Sequence, residues 1–580
     1  MENVYDIMDG HIENYTEEVL TVPFISEVLK EPLSYNIELL KAVAVNMAYV
    51  EGGKDIFLTE ALKNDETEEK DYEKIFKEAE QYRKTKGKIT YEKISLLGYN
   101  GDISKDFDSP EKEINNFIKM KKLSKRGFYF DAKGNIRFNV NTFLRYVLSR
   151  YKIVRTQTGN YYIYNVESGY YEAKDEIFIA KLFRDIMHEA AKDIWRKAYK
   201  TEYMDALPLE IPNIEKMNEC KNYINLENGM LNLNTMILEQ HNPKFYSSVR
   251  IPINYNPDAK CVKFDKFIAD IMDDDQDRIN IIGEQLGYSL TAETKAEKFF
   301  VWYGSGANGK SLLSKIYKLV CGEENVSNLS INDLCDKFGL ARIPDKTLNI
   351  SNENESFGKT LNTQNLKAIA SGDRMNINVK YKDGFDYSPI CKLVFLMNTL
   401  PNVSDNTDGF YRKMLILPFN KTFKGDNQDK NLYQKLAEEK EGILVFALNG
   451  LKRLRDNNYS FTKSEVCEDI LGSYEKENNP MIEFIDDCLS VVNGARTSNK
   501  DMLDEFKRLA DGNGRDDIAK MSAQAFWKLF KLVLAKRGIT YKTGKNNGDR
   551  YIEDFKLVNQ TNLTNATNVI VNSSGTTIRF

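Results

Sequence analysis

The sequence lacks the residue patterns of a disulfide-stabilised protein or of a histidine- or cysteine-ligated metal protein. It contains 7 cysteines and 3 histidines in 580 residues. No two cysteines form a C-x-x-C pair, and the histidines lie far apart at His11, His188 and His241. An odd, scattered set of cysteines indicates reduced, mostly buried thiols. A zinc ribbon, a disulfide framework and a histidine metal site are therefore not expected.

Long apolar segments are missing as well. No run of about 18 apolar residues is present, so no transmembrane helix is predicted. The opening residues, MENVYDIMDGHIENY, are acidic and hold no apolar core, which is unlike a secretory signal. We therefore expect a cytoplasmic protein with no membrane partner. The net charge of -5 does not indicate a nucleic-acid binder, but a global value can hide a local basic patch.

The length predicts about three to five domains. The first part of the chain is charge-rich with helical spacing, and alternating aromatic and polar residues with Gly or Asn turns begin near residue 126. These changes predict a mainly helical region of unknown role at 1–125, an α+β accessory domain at 126–275, an α/β domain at 276–425, a helical segment at 426–480, a small terminal module at 481–557 and a flexible tail at 558–580.

Four apolar runs in the α/β domain have the length and composition of buried strands. They are FFVWY at 299–303, KTLNIS at 346–351, KLVFLMN at 392–398 and MLILPF at 414–419. Segments with helical spacing separate them. This alternation predicts a parallel-rich sheet.

The first of these strands is followed by a phosphate-binding motif. Residues 304–311, GSGANGKS, fit the pattern G-x-x-x-x-G-K-[ST], with a strand before the loop and a helix after it. Glycines let the backbone approach phosphate, and the helix N-terminus turns its N–H groups toward the anion. Lys310 would reach the β and γ phosphates and Ser311 would bind Mg²⁺. The predicted nucleotide-binding residues are Gly304, Gly306, Ala307, Asn308, Gly309, Lys310, Ser311 and Leu312.

Polar residues at the ends of two later strands could complete a hydrolytic site. A P-loop needs an acid on a neighbouring strand to hold the metal and polarise water. Glu353 is the first choice and Glu355 the second, both directly after the strand at 346–351. Asn398 ends the next strand. It could hydrogen-bond the γ-phosphate or orient water, or it could simply form the turn before TLPN.

The order of these motifs resembles that of superfamily 3 helicases. The further segments that carry the likeness are SGDRMNINVKYKDGFDYSP and DGFYRKMLILPF. The sequence is more closely similar to the primase-helicase proteins of phages, satellite elements and poxviruses, from about residue 130 to 555 and most clearly over 298–420. The resemblance implies an AAA+-like P-loop motor that uses ATP and Mg²⁺. It also implies a ring, expected to be a hexamer, that unwinds DNA in replication of a phage or mobile element.

The resemblance also implies roles for individual residues. Glu353 matches the acidic position of the second motif, and Asn398 matches the sensor asparagine. Arg412 matches an arginine that reaches the neighbouring subunit's ATP. The chain departs from the family pattern twice, because Asn354 separates the two acids and Lys413 stands where a second arginine is common.

Lys380 matches a basic residue of a hairpin that enters the central channel, and Lys382 lies close by. Both would contact single-stranded DNA in that channel. Without the resemblance, a solvated hairpin edge is the favoured explanation of these two lysines.

The terminal module has three helical segments and a turn-rich strand pair, which predicts a winged helix. Residues 520 to 550 contain eight basic residues and a single acid, Asp549, for a local net charge of +7. Such a patch could bind double-stranded DNA, or the module could dock another protein. The basic residues are Lys520, Lys528, Lys531, Lys536, Arg537, Lys542, Lys545 and Arg550.

Two other functions stay open on the sequence alone. One is an origin-binding initiator scaffold that binds ATP to assemble but does not unwind DNA. The other is a primase-helicase, whose polymerase carboxylates would be Asp106 and Asp108, although these lie in a polar run, DISKDFDSPEKE, rather than in a strand. A separate primase or polymerase is a further possible partner.

Overall fold

The computed structural model describes residues 14–63, 69–336, 338–352, 363–380, 382–401, 403, 408–423, 429–512, 520–546, 549–558, 569–571 and 577–579. Its contacts divide the chain into two compact units. The first comprises Met1–Met217 and Tyr246–Ser248, and the second comprises Asn218–Phe245 and Val249–Phe580. No helix in the described ranges is both long and apolar enough to span a bilayer.

The first unit begins with a helical part. Helix α3 is almost entirely buried, and the charged helix α5 still buries Tyr72, Phe76 and Ala79. The charged stretch is thus amphipathic, with one stripe in the core. The helices are α1 (Thr16–Leu20), α2 (Pro23–Lys30), α3 (Ile37–Met47), α4 (Gly53–Lys63), α5 (Glu69–Lys86), α6 (Tyr91–Leu96) and α7 (Pro110–Lys125).

The rest of the first unit mixes helices and strands. A four-stranded sheet has the order β5-β4-β3-β6, in which only the β3–β6 pair is parallel, and β1 and β2 form a separate hairpin. The elements are β1 (Phe128–Phe130), β2 (Ile136–Phe138), α8 (Val140–Arg150), β3 (Ile153–Thr156), β4 (Tyr161–Asn165), β5 (Tyr170–Lys174), α9 (Glu176–His188), α10 (Lys197–Glu210) and β6 (Asn213–Ile214).

The second unit opens with a small antiparallel sheet and continues into a larger α/β region. Its first elements are β7 (Tyr223–Leu226), β8 (Gly229–Asn232), β9 (Leu238–Glu239), α11 (Val262–Ile271), α12 (Gln276–Ser289), β10 (Phe299–Tyr303), α13 (Lys310–Cys321), β11 (Val326–Ser327), α14 (Ile331–Cys335), β12 (Leu348–Ser351), α15 (Gln364–Ser371), β13 (Met375–Val379), β14 (Lys382–Tyr387), β15 (Lys392–Met397), α16 (Asp408–Tyr411), β16 (Met414–Pro418), α17 (Leu432–Ala437), α18 (Lys440–Asp456) and α19 (Glu465–Asn478).

Five strands of this region form one sheet in the order β11-β12-β15-β10-β16, and every pair is parallel. The predicted parallel-rich sheet is therefore confirmed. Strand β15 separates β10 from β12. The short edge strand β11 was not predicted. Asn349 of β12 holds it in the sheet, because its side-chain Oδ1 accepts hydrogen bonds from the Ser327 hydroxyl and the Leu329 N–H, each at 2.8 Å.

Both faces of the sheet are covered, as a parallel sheet requires. Side chains of β10 alternate between two cores. Phe300 and Trp302 pack into one cluster with α12, α13 and α18, while Phe299 and Val301 pack into a second cluster on the opposite face. This double burial explains why the predicted strands are nearly continuous apolar runs.

Helices α12 and α18 cross in close contact behind the sheet. A Cβ at Gly287 would lie 2.1 Å from the Ala447 carbonyl oxygen, and one at Gly450 would lie 2.1 Å from the Gly283 carbonyl carbon. Gln285 of α12 accepts hydrogen bonds from the Trp302 indole and the Tyr317 hydroxyl. The glycines thus set the depth at which α12 supports strand β10 and helix α13.

The terminal module has its own core, built from three helices and a sheet in the order β17-β19-β18. The three helices and the β18–β19 pair were predicted, whereas strand β17 was not. Within the predicted tail, the described residues form a short antiparallel pair. The elements are α20 (Pro480–Cys488), β17 (Leu489–Ser498), α21 (Asn499–Gly512), α22 (Ala523–Lys536), β18 (Lys542–Asn546), β19 (Asp549–Leu557), β20 (Val569–Val571) and β21 (Thr577–Arg579).

Candidate nucleotide-binding site

The predicted phosphate loop connects the carboxyl end of β10 to the first turn of α13. Gly309 is the N-cap of that helix with φ +87°, and a Cβ there would lie 2.6 Å from Ile271 Cγ2. A Cβ at Gly304 would lie 2.4 Å from the Phe419 carbonyl oxygen. Backbone conformation and close packing therefore both require glycine at these ends of the loop. Gly306, by contrast, faces open space.

Lys310 lies inside the loop with only 6% of its surface exposed. Its ammonium donates to the carbonyl oxygens of Gly304 (2.7 Å) and Ser305 (3.2 Å) and to Oδ1 of Asn308 (3.1 Å). Burial lowers the pKa of Lys310 to about 8, because desolvation disfavours the charged form. A cation held this way would gain from contact with a phosphate.

A cavity of about 1700 Å³ opens beside the loop. It exceeds the usual 300–1000 Å³ of small-molecule pockets, so a whole nucleotide has room there. Of the predicted nucleotide-binding residues, the consecutive set Gly306 to Leu312 lines it. The Ser311 side chain is exposed within this lining.

Two strand ends bring amides to the same cavity. Asn398 follows β15, and Asn352 follows β12. The Gly304 N–H donates to the Met397 carbonyl at 3.1 Å, which fastens the loop to the strand that carries Asn398. The predicted acids Glu353 and Glu355 lie outside the described residues, although Asn352, directly before them, lines the cavity.

The oxygen ligands in the cavity lining suit a metal ion that is bound mainly by the phosphates of a nucleotide. In the described part of the chain, no three histidine, cysteine, aspartate or glutamate side chains gather as a metal cage. Mg²⁺ usually keeps several waters and takes one or two protein ligands beside substrate phosphates. The Ser311 hydroxyl and the Asn352 amide oxygen, both in the cavity lining, fit that requirement.

Arg412 is exposed at the amino end of β16, whereas the phosphate loop follows the carboxyl end of β10. Strands β10 and β16 are parallel, with Phe299 opposite Met414 and Tyr303 opposite Pro418. At about 3.3 Å per residue, the five residues of β10 separate Arg412 from the loop by roughly 16 Å. This arginine therefore cannot reach the phosphate loop of its own chain.

Lys413 turns inward beside Arg412. It is 7% exposed and donates to the Glu297 carboxylate and the Ser371 hydroxyl. The position that often holds a second arginine is therefore an internal anchor in this chain.

The hairpin formed by β13 and β14 carries the predicted channel lysines. Its register shifts between Ile377 and Val379. Lys380 is exposed at the end of β13, and its ammonium lies 5.9 Å from the centre of the Phe338 ring. Lys382 begins β14, and its side chain lies outside the described residues.

Most predicted DNA-binding side chains of the terminal module are exposed, except that Arg537 pairs with Asp486 inside the module and that the Lys536 side chain lies outside the described residues. Lys545 lies directly opposite Arg550 across the β18–β19 pair. Like charges in that position repel each other. The exposed residues are Lys520, Lys528, Lys531, Lys542, Lys545 and Arg550.

The candidate primase carboxylates do not lie on a strand. Asp106 and Asp108 are in the loop between α6 and α7. Asp108 pairs with Lys88 (3.2 Å) and Lys112 (2.8 Å), and the hydrogen bond from Lys112 is the main reason that its pKa falls to about 2. A paired loop carboxylate and its neighbour do not make the strand-borne acid pair that a polymerase-type primase needs.

One wall of the cavity was not predicted from the sequence. Five residues of α11, which precedes the phosphate loop, line it at spacings of three and four. That spacing is the sequence pattern of a helix face, but nothing in it distinguishes a cavity wall from a core face. The five residues are Lys263, Lys266, Phe267, Asp270 and Ile271.

Two known families match parts of the chain. Residues 141–273 match the family described as D5 N terminal like, and residues 302–413 match a family of unknown function, DUF5906. Together with the viral relatives below, these matches confirm the predicted resemblance to helicases of the viral primase-helicase type.

The relatives include viral proteins named as helicases. The chain is 25% identical over 320 residues to "Putative helicase L207/L206" of Acanthamoeba polyphaga mimivirus, which covers 49% of this chain and 32% of the relative. It is 25% identical over 242 residues to "Putative helicase 184R" of Invertebrate iridescent virus 6, covering 39% of this chain and 25% of the relative. The matched regions thus span about a third or less of these relatives. A solved structure, described as the A form apo structure of NrS-1 C terminal region-CTR, superposes with a TM-score of 0.42 at 13% identity, covering 70% of this chain and 96% of that one.

Proposed function

We propose that this chain is an ATP- and Mg²⁺-dependent DNA helicase that works as a ring, expected to be a hexamer, in replication of a virus, phage or mobile element. The observation that carries the proposal is the buried Lys310 in a phosphate loop beside a nucleotide-sized cavity. The strand order supports an AAA+-like motor, because β15 with Asn398 lies between the loop strand and the strand that leads to Glu353. The names of the viral relatives support the helicase part.

The chain's own groups account for the hydrolytic step as follows. Lys310 leaves the loop carbonyls and binds the β and γ phosphates, and the loop N–H groups bind the remaining phosphate oxygens. Glu353 polarises the attacking water, with Glu355 as the alternative, and Asn398 donates to the γ-phosphate or orients that water. Mg²⁺, bound by Ser311 and the acid, would supply positive charge that stabilises the transferring phosphoryl group.

The separation of Arg412 from the phosphate loop supports a site that is completed between subunits. Arg412 lies too far from its own phosphate loop to act there, yet it is exposed at an outer edge of the sheet. An arginine that reaches the γ-phosphate of a neighbour would stabilise the charge that develops in the transition state. Such an arginine requires an oligomer.

DNA would contact two basic elements. Lys380 and Lys382 on the β13–β14 hairpin would bind single-stranded phosphates in the channel without reading sequence. The exposed basic face of the terminal module, which we predict to be a winged helix, would bind duplex DNA. The two positive charges of Lys545 and Arg550, which lie directly across from each other, support an anionic partner there.

The test is fork unwinding with ATP, combined with measurement of oligomer mass. Lys310→Ala and Arg412→Ala should each abolish unwinding while rings still form. Lys315→Ala, an exposed lysine on the same helix α13 and outside the cavity, is the matched control and should unwind normally.

Mixing the two inactive variants gives a sharper result. In a mixed ring, an Arg412→Ala subunit keeps its Lys310 and can receive Arg412 from a neighbouring Lys310→Ala subunit. ATP hydrolysis should therefore return on mixing. If it does not return although mixed rings form, Arg412 does not act between subunits. If the native chain hydrolyses ATP and binds DNA but never separates strands, the initiator scaffold replaces the helicase.

A further inference from the structure

One face of α11 extends the nucleotide cavity beyond the phosphate loop. The face begins at the loop, where Ile271 Cγ2 would touch a Cβ on Gly309 and Phe267 lies 3.6 Å from the same point. It continues through Asp270 and Lys266 to Lys263. At about 1.5 Å per residue, the eight steps from Lys263 to Ile271 cover roughly 12 Å. A triphosphate on the loop would occupy only the near end, so the rest of the face meets the nucleoside.

Another part of the cavity lining comes from the segment that follows β16. Phe423 is fixed to the loop, because its N–H donates to the Ala307 carbonyl at 2.7 Å. Leu432 of α17 lines the same cavity. Together with Phe267 and Ile271, these side chains are the apolar part of the cavity lining, and apolar lining suits the flat faces of a nucleobase.

The acids of the cavity differ in their partners. Asp429 pairs with Lys435 at 2.6 Å, and Glu438 pairs with Lys263 at 3.5 Å. Asp270 is exposed in the cavity lining, and its side chain makes no ion pair or hydrogen bond with any described residue. It is adjacent to Ile271 and therefore lies near the phosphate end. A carboxylate on the same wall as a polyphosphate repels further negative charge, so a neutral hydrogen-bond donor is the group that suits it.

We infer that Asp270 reads the sugar of the bound nucleotide by accepting a hydrogen bond from a sugar hydroxyl, while Phe267 and Leu432 enclose the base. The inference rests on the proposed nucleotide site and adds its preference for ribonucleotides. The sugar is the first part of a nucleotide after its phosphates, and its hydroxyls are neutral donors. A hydrogen bond to a charged acceptor changes affinity roughly tenfold or more.

The test compares the binding of ATP, 2′-deoxy-ATP and 3′-deoxy-ATP to the full chain by calorimetry. The native chain should prefer ATP roughly tenfold over at least one deoxy analogue. Asp270→Ala should remove that preference by weakening ATP alone. Asp265→Ala is the matched control, because Asp265 is on the same helix but outside the cavity lining, and it should keep the preference.

The outcomes separate the two proposals. If native protein binds all three nucleotides equally, or if Asp270→Ala keeps the preference for ATP, the sugar contact is wrong while the nucleotide site stands. If ATP does not bind, or binds equally well to Lys310→Ala, the nucleotide site itself is wrong and the sugar contact fails with it.

Discussion

Replacing Gly287 with alanine should loosen the support of the candidate nucleotide site. The added Cβ would lie 2.1 Å from the Ala447 carbonyl oxygen and 2.8 Å from the Leu451 backbone nitrogen and Cβ. Carbon and oxygen atoms normally stay about 3.3 Å apart. Helices α12 and α18 must therefore separate by roughly 1 Å, since a backbone carbonyl within a helix cannot turn away.

The size of the effect follows from two opposing terms. Overpacking a well-packed site costs about 1–3 kcal/mol, and the backbone clash puts Gly287 at the upper end. Alanine regains about 1 kcal/mol of helix propensity. The expected net loss is about 2 kcal/mol. Gly472 in α19 is the matched control, because its Cβ would meet no atom within 4 Å. Gly472→Ala should stabilise the chain by up to about 1 kcal/mol.

Urea unfolding of the full chain measures both variants. Trp302 is the suitable reporter, because its indole donates to Gln285 of α12. Trp195 and Trp527 would be replaced by phenylalanine in every sample. Gly287→Ala should also reduce ATP hydrolysis, since α12 supports β10 and α13 from behind. If both glycine variants increase the free energy of unfolding equally, the close crossing of α12 and α18 does not exist in solution.

Three further predictions concern the site and the terminal module. Asn398→Ala should lower kcat for ATP hydrolysis by about 100-fold with little change in KM, as loss of one transition-state hydrogen bond does; a change in KM alone would contradict this role. Replacing Lys528 and Lys531 with alanine should reduce the slope of duplex affinity against salt by about 2, and an unchanged slope would remove this face from the interface. Burial lowers the pKa of Lys310 to about 8, and bound phosphates favour its charged form. ATP binding should therefore take up protons near pH 8 but not below about pH 6.5. Calorimetry in two buffers of different ionisation enthalpy measures this proton uptake.

The loop and the strands around it could be predicted because their signals are local. A phosphate loop has fixed spacing, and strands buried on both faces are continuous apolar runs. The strand that carries Asn398 and the strand that leads to Glu353 were found for the same reason. The order of the strands was not accessible, because β15 enters between β10 and β12 through contacts distant in sequence.

The missed elements share a different property. Strand β11 has only two residues, Val326 and Ser327, and exists through the Asn349 hydrogen bonds rather than through its own composition. Strand β17 contains the polar stretch around Asn493 and Gly494, with a register shift between Val491 and Arg496, so its alternation is broken. The α11 wall of the cavity has ordinary amphipathic spacing. In each case, tertiary partners decide what the local sequence leaves undecided.

Lys413 stands after Arg412, at the position where the family pattern often has a second arginine, and it has an internal role in this chain. Its ammonium is committed to Glu297 and Ser371 within the subunit, at 7% exposure, so the side chain fixes the turn before β16 from inside. Under the proposed assembly, that anchor would hold Arg412 outward toward a neighbour. We expect Lys413→Arg to weaken the anchor rather than add a second finger, because a planar guanidinium cannot replace a compact ammonium in a closed site. ATP hydrolysis should fall while nucleotide affinity stays unchanged. Higher activity in this variant would show that the second position also faces the neighbouring site.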